Sequence, residues 1–359
     1  IAELLELATG ARLLARSSVW YIPVEMFHRI DEAQQRGGKR LVSGVRFVAS
    51  AERSLRHRLA AQAPADALAT LEAIGNAATN LPHTLQPLPP ERAPAVLDTL
   101  LAYYEYQIAA EAPAARPALL EAKDRVLRHR LSLPGAEPVE PAVPPLPSPA
   151  AATAPMEVAV GLGHATRGAS FLRMRWAPVS YDFASFNALE TGELTVMDLV
   201  ADADVHGAVR LNHMDLVRVR KLSVNPMPLP RDGSLSWQAR IGTRRELRDG
   251  VFHADEFASF GVGRATAWSP FLLGYAMLDT LVQSAPSRFA LEPGFGVVSR
   301  HAGWRASLSM GSRLDIAPRR WRGHLAADLS RRLSQHESMR LEFQQDEQVR
   351  TVLSLAHHW

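Results

Sequence analysis

Arg305, Arg313, Arg322, Arg332 and Arg340 alternate with apolar residues near the end of the chain, and Asp328 and Glu342 fall on the same predicted face. A period of two sends successive side chains to opposite faces of a sheet, so these charges would share one side of neighbouring strands. Inside a barrel, a set of guanidiniums favours anions. The same arginines paired with Asp328 and Glu342 would instead plug the interior with ion pairs. Both uses remain open on the sequence.

Other chemistry is sparse. The chain holds 13 histidines and no cysteine, which rules out disulfides, thiolate metal sites and cysteine nucleophiles among these residues. No His-Glu-x-x-His or other compact ligand set occurs. His357 and His358 are adjacent in a predicted strand and point to opposite faces. No metal and no cofactor are expected. Gly161-Leu162-Gly163 and Gly261-Val262-Gly263 could begin dinucleotide fingerprints, but Thr166 and Thr266 stand where the third small residue is required, and no βαβ unit surrounds them. These glycines are better explained by close strand packing. Ser334 and His336 are the nearest approach to a nucleophile–base pair, and two residues apart in a turn they make no dyad. No catalytic residue is assigned, and no enzyme is expected within this chain.

The elements that must position the charges follow from periodicity. From Trp304 the apolar residues are Trp304, Ala306, Leu308 and Met310; the pattern returns at Trp321 to Leu329, at Met339 to Phe343, and at Val349 to Trp359. Runs of about ten residues, apolar on one face and polar on the other, are what a membrane barrel requires. Six of the seven tryptophans lie after Met156, as interfacial girdles would use them. Glu193 to Val205 and Gly207 to Leu222 keep the alternation less well, because Asp198, Asp202, Asp204, His213 and Asp215 interrupt it. Such charges on the outer surface would favour a soluble barrel.

Residues 1–133 show a period near 3.6. Helices are predicted over Ile1–Ala15, Val24–Gln35, Ala51–Ala63, Ala65–Ala78, Pro94–Ala110 and Pro117–Leu131, with Pro82 to Pro90 as a connection. Eight prolines among residues 134–155 mark a semi-rigid spacer. The formal net charge is only +3, with 16 basic and 16 acidic residues in 1–155 and 24 and 21 in the remainder, so no basic face is offered to nucleic acid. No run of 18 apolar residues exists, so no transmembrane helix is expected. The chain opens at Ile1 within a helical pattern and without a signal peptide, so a preceding segment is expected.

Several short stretches resemble one bacterial family. They are Ile22-Pro23-Val24 leading into Met26-Phe27-His28-Arg29, Arg46 to Leu59, Gly161 to His164, Arg175 to Asp182, and Leu235-Ser236-Trp237 with Gly242. Together they resemble proteins with the Lnb N-terminal periplasmic domain, followed by a helical segment and a C-terminal barrel-like region. The family-motif positions are Pro23, Arg29, His164, Arg175, Asp182, Ser236 and Trp237. At Ser180-Tyr181-Asp182 only Asp182 matches the family's triplet. The resemblance implies a papain-like cysteine hydrolase domain ahead of this chain.

The expectation is therefore an α+β chain: an α-helical periplasmic domain over 1–133, a Pro-rich linker over 134–155, and an antiparallel β-barrel of about twelve strands, outer-membrane type, over 156–359. The barrel would anchor the protein in outer-membrane lipid and scaffold its own missing N-terminal periplasmic domain, with other envelope proteins as open partners. Two alternatives stand beside this: a pore or transporter for small anionic solutes, and a soluble periplasmic β-barrel binding module.

Overall fold

A computed structural model of the chain describes residues 6–7, 23–37, 42, 44, 46–133, 143, 145, 148–166, 170–187, 191–224, 227, 229, 235–248, 251–284, 288–316, 319–346 and 348–359. Among the described residues six α-helices can be bounded: α1 (Pro23–Gly37), α2 (Ala51–Ala61), α3 (Pro64–Gly75), α4 (Leu81–Leu85), α5 (Ala93–Ala110) and α6 (Arg116–Ser132). Of the predicted helix over Ile1–Ala15 only Glu6 and Leu7 are described, and both are helical; most of the predicted linker falls outside the described residues. Helix α4 occupies part of the stretch predicted as a Pro-rich connection; Pro82 sits within its first turn, where its missing N–H costs nothing.

Helices α2 to α6 form a unit of their own. Ser50 caps α2, its Oγ accepting the Arg53 N–H at 3.2 Å. Along α5, Ala93, Val96, Leu97, Leu100 and Tyr104 are buried, the i, i+3, i+4, i+7 stripe of a core-facing helix. Tyr104 stands in the core with Tyr103 edge-on to it at 5.1 Å. Burial, then the neighbouring Tyr103, pushes its phenol up to about 12. The spacing predicts Leu119, Leu120, Val126, Leu127 and Leu131 as the apolar side of α6; Val126 and Leu119 do meet the core, and the rest needs correction. Ala122, Val126 and Arg130 face inward, while Leu120, Leu127 and Leu131 are exposed. Arg130 donates to Asp98 at 2.9 Å, and this pairing lets a charged residue take a core position. Leu97→Ala should lower the stability of this unit by about 2–5 kcal/mol, read from its helical circular dichroism during urea unfolding.

The second half is thirteen strands in one antiparallel sheet. They are β1 (Glu157–Ala165), β2 (Phe171–Ala177), β3 (Val179–Tyr181), β4 (Gly192–Asp204), β5 (Val209–Lys221), β6 (Ser236–Arg248), β7 (Val251–Ser269), β8 (Leu272–Gln283), β9 (Arg288–His301), β10 (Trp304–Asp315), β11 (Arg320–Arg332), β12 (Glu337–Gln345) and β13 (Val349–His358). Pro178 separates β2 from β3, and both pair with β4, so they make one stave of the barrel. Pairing of β1 with β13, from Glu157↔His358 to Ala165↔Arg350, closes the ring. The result is a closed twelve-stave antiparallel barrel.

Closure aligns outward residues into rows. Leu172, Leu162, Leu353, Leu341 and Leu329 are successive cross-strand partners around five staves, and all five are exposed. Val349 to Trp359 spans about 34 Å along the strand at ~3.4 Å per residue. At a tilt of about 45° that is about 24 Å of membrane, matching the apolar band such barrels present. Trp176, Trp237, Trp268, Trp304 and Trp359 all lie near the end carrying Met156 and Trp359, called here the terminal rim; Trp321 lies at the opposite end.

The chain divides into compact units differently from 1–133, 134–155 and 156–359. One unit is Gly44–Leu146 with Pro226–Gly233; the other is Ile1–Ser43, Pro147–Asn225 and Ser234–Trp359. Helix α1 thus belongs with the barrel. Met227 and Leu229, from the connection between β5 and β6, are buried in the helical core. Neither assignment follows from local periodicity, because each depends on contacts distant in sequence.

Candidate functional site in the barrel lumen

Arg175 on β2 is the hub of the lumen. It is 7% exposed and donates to Asp198 at 2.7 Å, Glu157 at 2.8 Å and Asp182 at 3.2 Å. Its neighbour Arg173, two residues earlier on the same face, pairs with Asp202 at 2.8 Å and Glu342 at 3.1 Å. Arg340 joins the two halves of the ring, reaching Asp182 and Asp328 at 2.9 Å and Glu342 at 3.2 Å. Farther round, Arg240 meets Asp215 at 2.7 Å and Arg220 meets Glu193 at 3.2 Å. Arg313 and Arg322 share Asp315 at 2.8 and 2.7 Å. Guanidiniums suit such sites because their fixed fork meets several carboxylates at once.

Of the arginines and acids predicted to share this face, Arg313, Arg322, Arg340, Asp328 and Glu342 do so. Arg305 and Arg332 have the same inward parity as these residues but stand at the terminal rim. Arg305 donates to the carbonyl of Trp304 at 3.0 Å and lies 4.9 Å over the Phe186 ring. Arg332 donates to the Ala151 carbonyl at 2.8 Å. Among the family-motif positions, Arg175 and Asp182 meet in the network. Pro23 opens α1, and Arg29 pairs with Glu25 at 2.9 Å. His164 faces outward at the end of β1, 3.5 Å from Ser170 Oγ. Ser236 Oγ accepts the Ser223 N–H at 3.0 Å, and Trp237 follows it at the rim.

Alternation alone missed the acidic side of the network. Asp198 and Asp215 do not interrupt the outward apolar face; they point inward and are 2% and 0% exposed. Met197, at φ +55°, lies unpaired between Val196↔Val217 and Asp198↔Asp215, and Leu216 is the extra residue of a bulge against β6; the inward parity of each strand changes by one across that residue. Before the bulge Glu193 and Thr195 face inward; after it Asp198, Val200 and Asp202 do. Gly261 makes room for a further acid. A Cβ there would stand 1.8 Å from Asp279 Oδ1, which accepts from Gln238 at 2.6 Å.

Asp198, His213 and Asp215 place one ligand atom each within 4.8 Å of one another. Arg218, at 3.7 Å from Asp198 and 3.9 Å from Asp215, already supplies positive charge there.

The segment after β3 folds into the lumen at the terminal rim. Phe183, Ala184, Ser185 and Phe186 are all buried. Asp182 Oδ1 accepts the Ala184 and Ser185 N–H groups at 3.1 and 2.7 Å, which fixes the turn. Phe183 packs with Leu222, Leu273 and Val298, with the Arg220 and Arg300 guanidiniums over its ring at 5.6 and 5.7 Å. A water-filled passage at the level of Arg175 would wet its walls, yet Glu157, Asp182 and Asp198 are all buried. On the other side of this layer is a cavity of about 140 Å³, lined by residues including Arg173, Arg218, Arg350, Asn212 and Glu342.

A closed antiparallel barrel, apolar outside and ion-paired inside, is the class of protein these features define. Residues 146–359 match the family described as a domain of unknown function, DUF7840, and the chain belongs to that family. No curated protein matches it. Similar solved structures include the KdgM porin in complex with disordered oligogalacturonate, at 7% identity and TM-score 0.35, covering 56% of this chain and 99% of that one. An outer membrane channel from Pseudomonas putida F1 matches at 9% identity and TM-score 0.33, covering 63% and 100%. The DcaP channel of Acinetobacter baumannii matches at 9% identity and TM-score 0.30, covering 57% and 96%.

Proposed function

We propose that this barrel is an outer-membrane anchor with a closed lumen, carrying the helical unit. The observation behind this reading is the buried Arg175 network, with the segment from Asp182 to Phe186 folded inside the ring. The outward leucine rows support lipid as the outer partner and weigh against a soluble binding module. The resemblance to the Lnb N-terminal periplasmic domain family supplies the cargo, a hydrolase-like domain at the periplasmic face. Helix α1 supports that arrangement, since it lies with the terminal rim and would hold whatever precedes it there.

Reconstitution in planar bilayers tests the closed lumen. The intact chain should show no steady conductance. Arg340→Ala, which frees Asp182 from one of its two arginines, should produce intermittent openings. A steady open conductance from the intact chain would overturn the closed reading.

A second reading is a gated conduit for small anions. It is favoured by the cavity, where Arg218 and Arg350 each keep a buried Nε without a hydrogen-bond partner. Conductance that appears only with small carboxylates present would select it.

A further inference from the structure

His28 is the buried titratable group that neither reading uses. It lies on α1, is 5% exposed, and neither ring nitrogen has a hydrogen-bond partner. Helix α1 lies against the turn Pro149–Ala151, and its Glu25 acts electrostatically on Tyr181, where the stave formed by β2 and β3 ends. Four charged or titratable groups act on His28. Arg332 and His336 come from the end of β11 and the turn after it; Asp31 and Glu32 come from α1 itself, one turn on. Arg332 is satisfied by carbonyls, of Ala151 at 2.8 Å and Ser334 at 3.2 Å. The His336 Nδ1–H donates to the His358 carbonyl at 3.1 Å.

We propose that α1 is a pH-sensitive cap on the terminal rim, held in place while His28 is neutral and released when it is protonated. The asymmetry lies in which neighbours move. Asp31 and Glu32 share the helix with His28, so they stay beside it whether α1 is docked or released. Only the rim discriminates between the two states, and what it presents is Arg332 and His336. A protonated His28 would therefore be buried without an acceptor and beside like charge.

Burial, then His336, holds the docked imidazole below its ordinary value of 6.5. A group depressed in the docked state contributes to docking above its free value, and that contribution is lost as pH falls through 6.5 toward the docked value. The ratio of docked to released α1 should fall between about pH 7.5 and about pH 5.5, by no more than about tenfold.

The chain contains no cysteine, so spin labels on Phe27→Cys and Ser334→Cys report one distance in the full-length protein. Double electron–electron resonance should give a single short distance at about pH 7.5 and a growing long component at about pH 5.5. His28→Gln should keep the short distance at both. Equal distributions in the unsubstituted background at the two pH values would overturn the proposal, as would a pH shift that persists in His28→Gln. Should His28→Gln fail to dock at either pH, His336→Gln decides: a reduced shift supports the cap, and an undiminished one contradicts it.

Discussion

Arg175→Met is expected to destabilise the folded barrel by about 3–5 kcal/mol, the cost of leaving buried partners of an ion pair uncompensated. Arg175 is the nearest cation to Glu157 and Asp198, and Asp182 keeps only Arg340 besides it. With Arg175 gone, three buried carboxylates face one another across the terminal half of the lumen. Arg175→Lys should recover only part of the loss, since one ammonium cannot span three acids as a fork does. Adding Glu157→Gln and Asp198→Asn to Arg175→Met should restore part of the stability by removing the orphaned charge. The contrast is Arg350→Met at the far end. Its partner Asp346 is a third exposed, and such pairs are worth about 0–1 kcal/mol. The temperature at which the folded, fast-migrating form is lost on a gel measures all of these. An unchanged transition for Arg175→Met would mean that the network contributes nothing to closure.

The second large effect has opposite signs in lipid and in water. Leu353 sits at the middle of β13, between Leu162 and Leu341, and is 51% exposed. Leu353→Arg should cost about 2–4 kcal/mol if this row meets the bilayer midplane. In a water-exposed barrel the same change would be neutral within about 0.5 kcal/mol and would improve solubility. Folding yield into lipid vesicles, with Leu353→Met as the volume-conserving control, distinguishes the two. A Leu353→Arg chain that folds as well as Leu353→Met removes lipid from the outer face.

How much of this was legible in the sequence depended on strand regularity. Strands β10 to β13 keep strict alternation, so the inward placing of Arg313, Arg322, Asp328, Arg340 and Glu342 could be read directly. Strands β4 and β5 are irregular at Met197 and Leu216, and a one-residue change of parity moves every later side chain to the other face. That is why Asp198 and Asp215 read as interruptions when they are the acids that Arg175 and Arg240 require. The partners of Arg175 were illegible for another reason. Asp198 lies 23 residues away on β4, which pairs directly with β2, and Glu342 meets Arg173 across 169 positions, a contact that only closure of the ring brings about. The helical half was legible wherever apolar spacing decided the burial, as along α5. It failed at α6, where the Arg130–Asp98 pair outweighs hydropathy, and at the allegiance of α1, which rests on contacts with the barrel.

The most direct test is fractionation of cells expressing the protein, with heat-modifiable gel migration as the readout. Recovery in the outer membrane, in a form that migrates faster before boiling than after, is the result expected of a closed, lipid-embedded barrel. Recovery in the soluble periplasm, with no dependence of migration on heating, would contradict it.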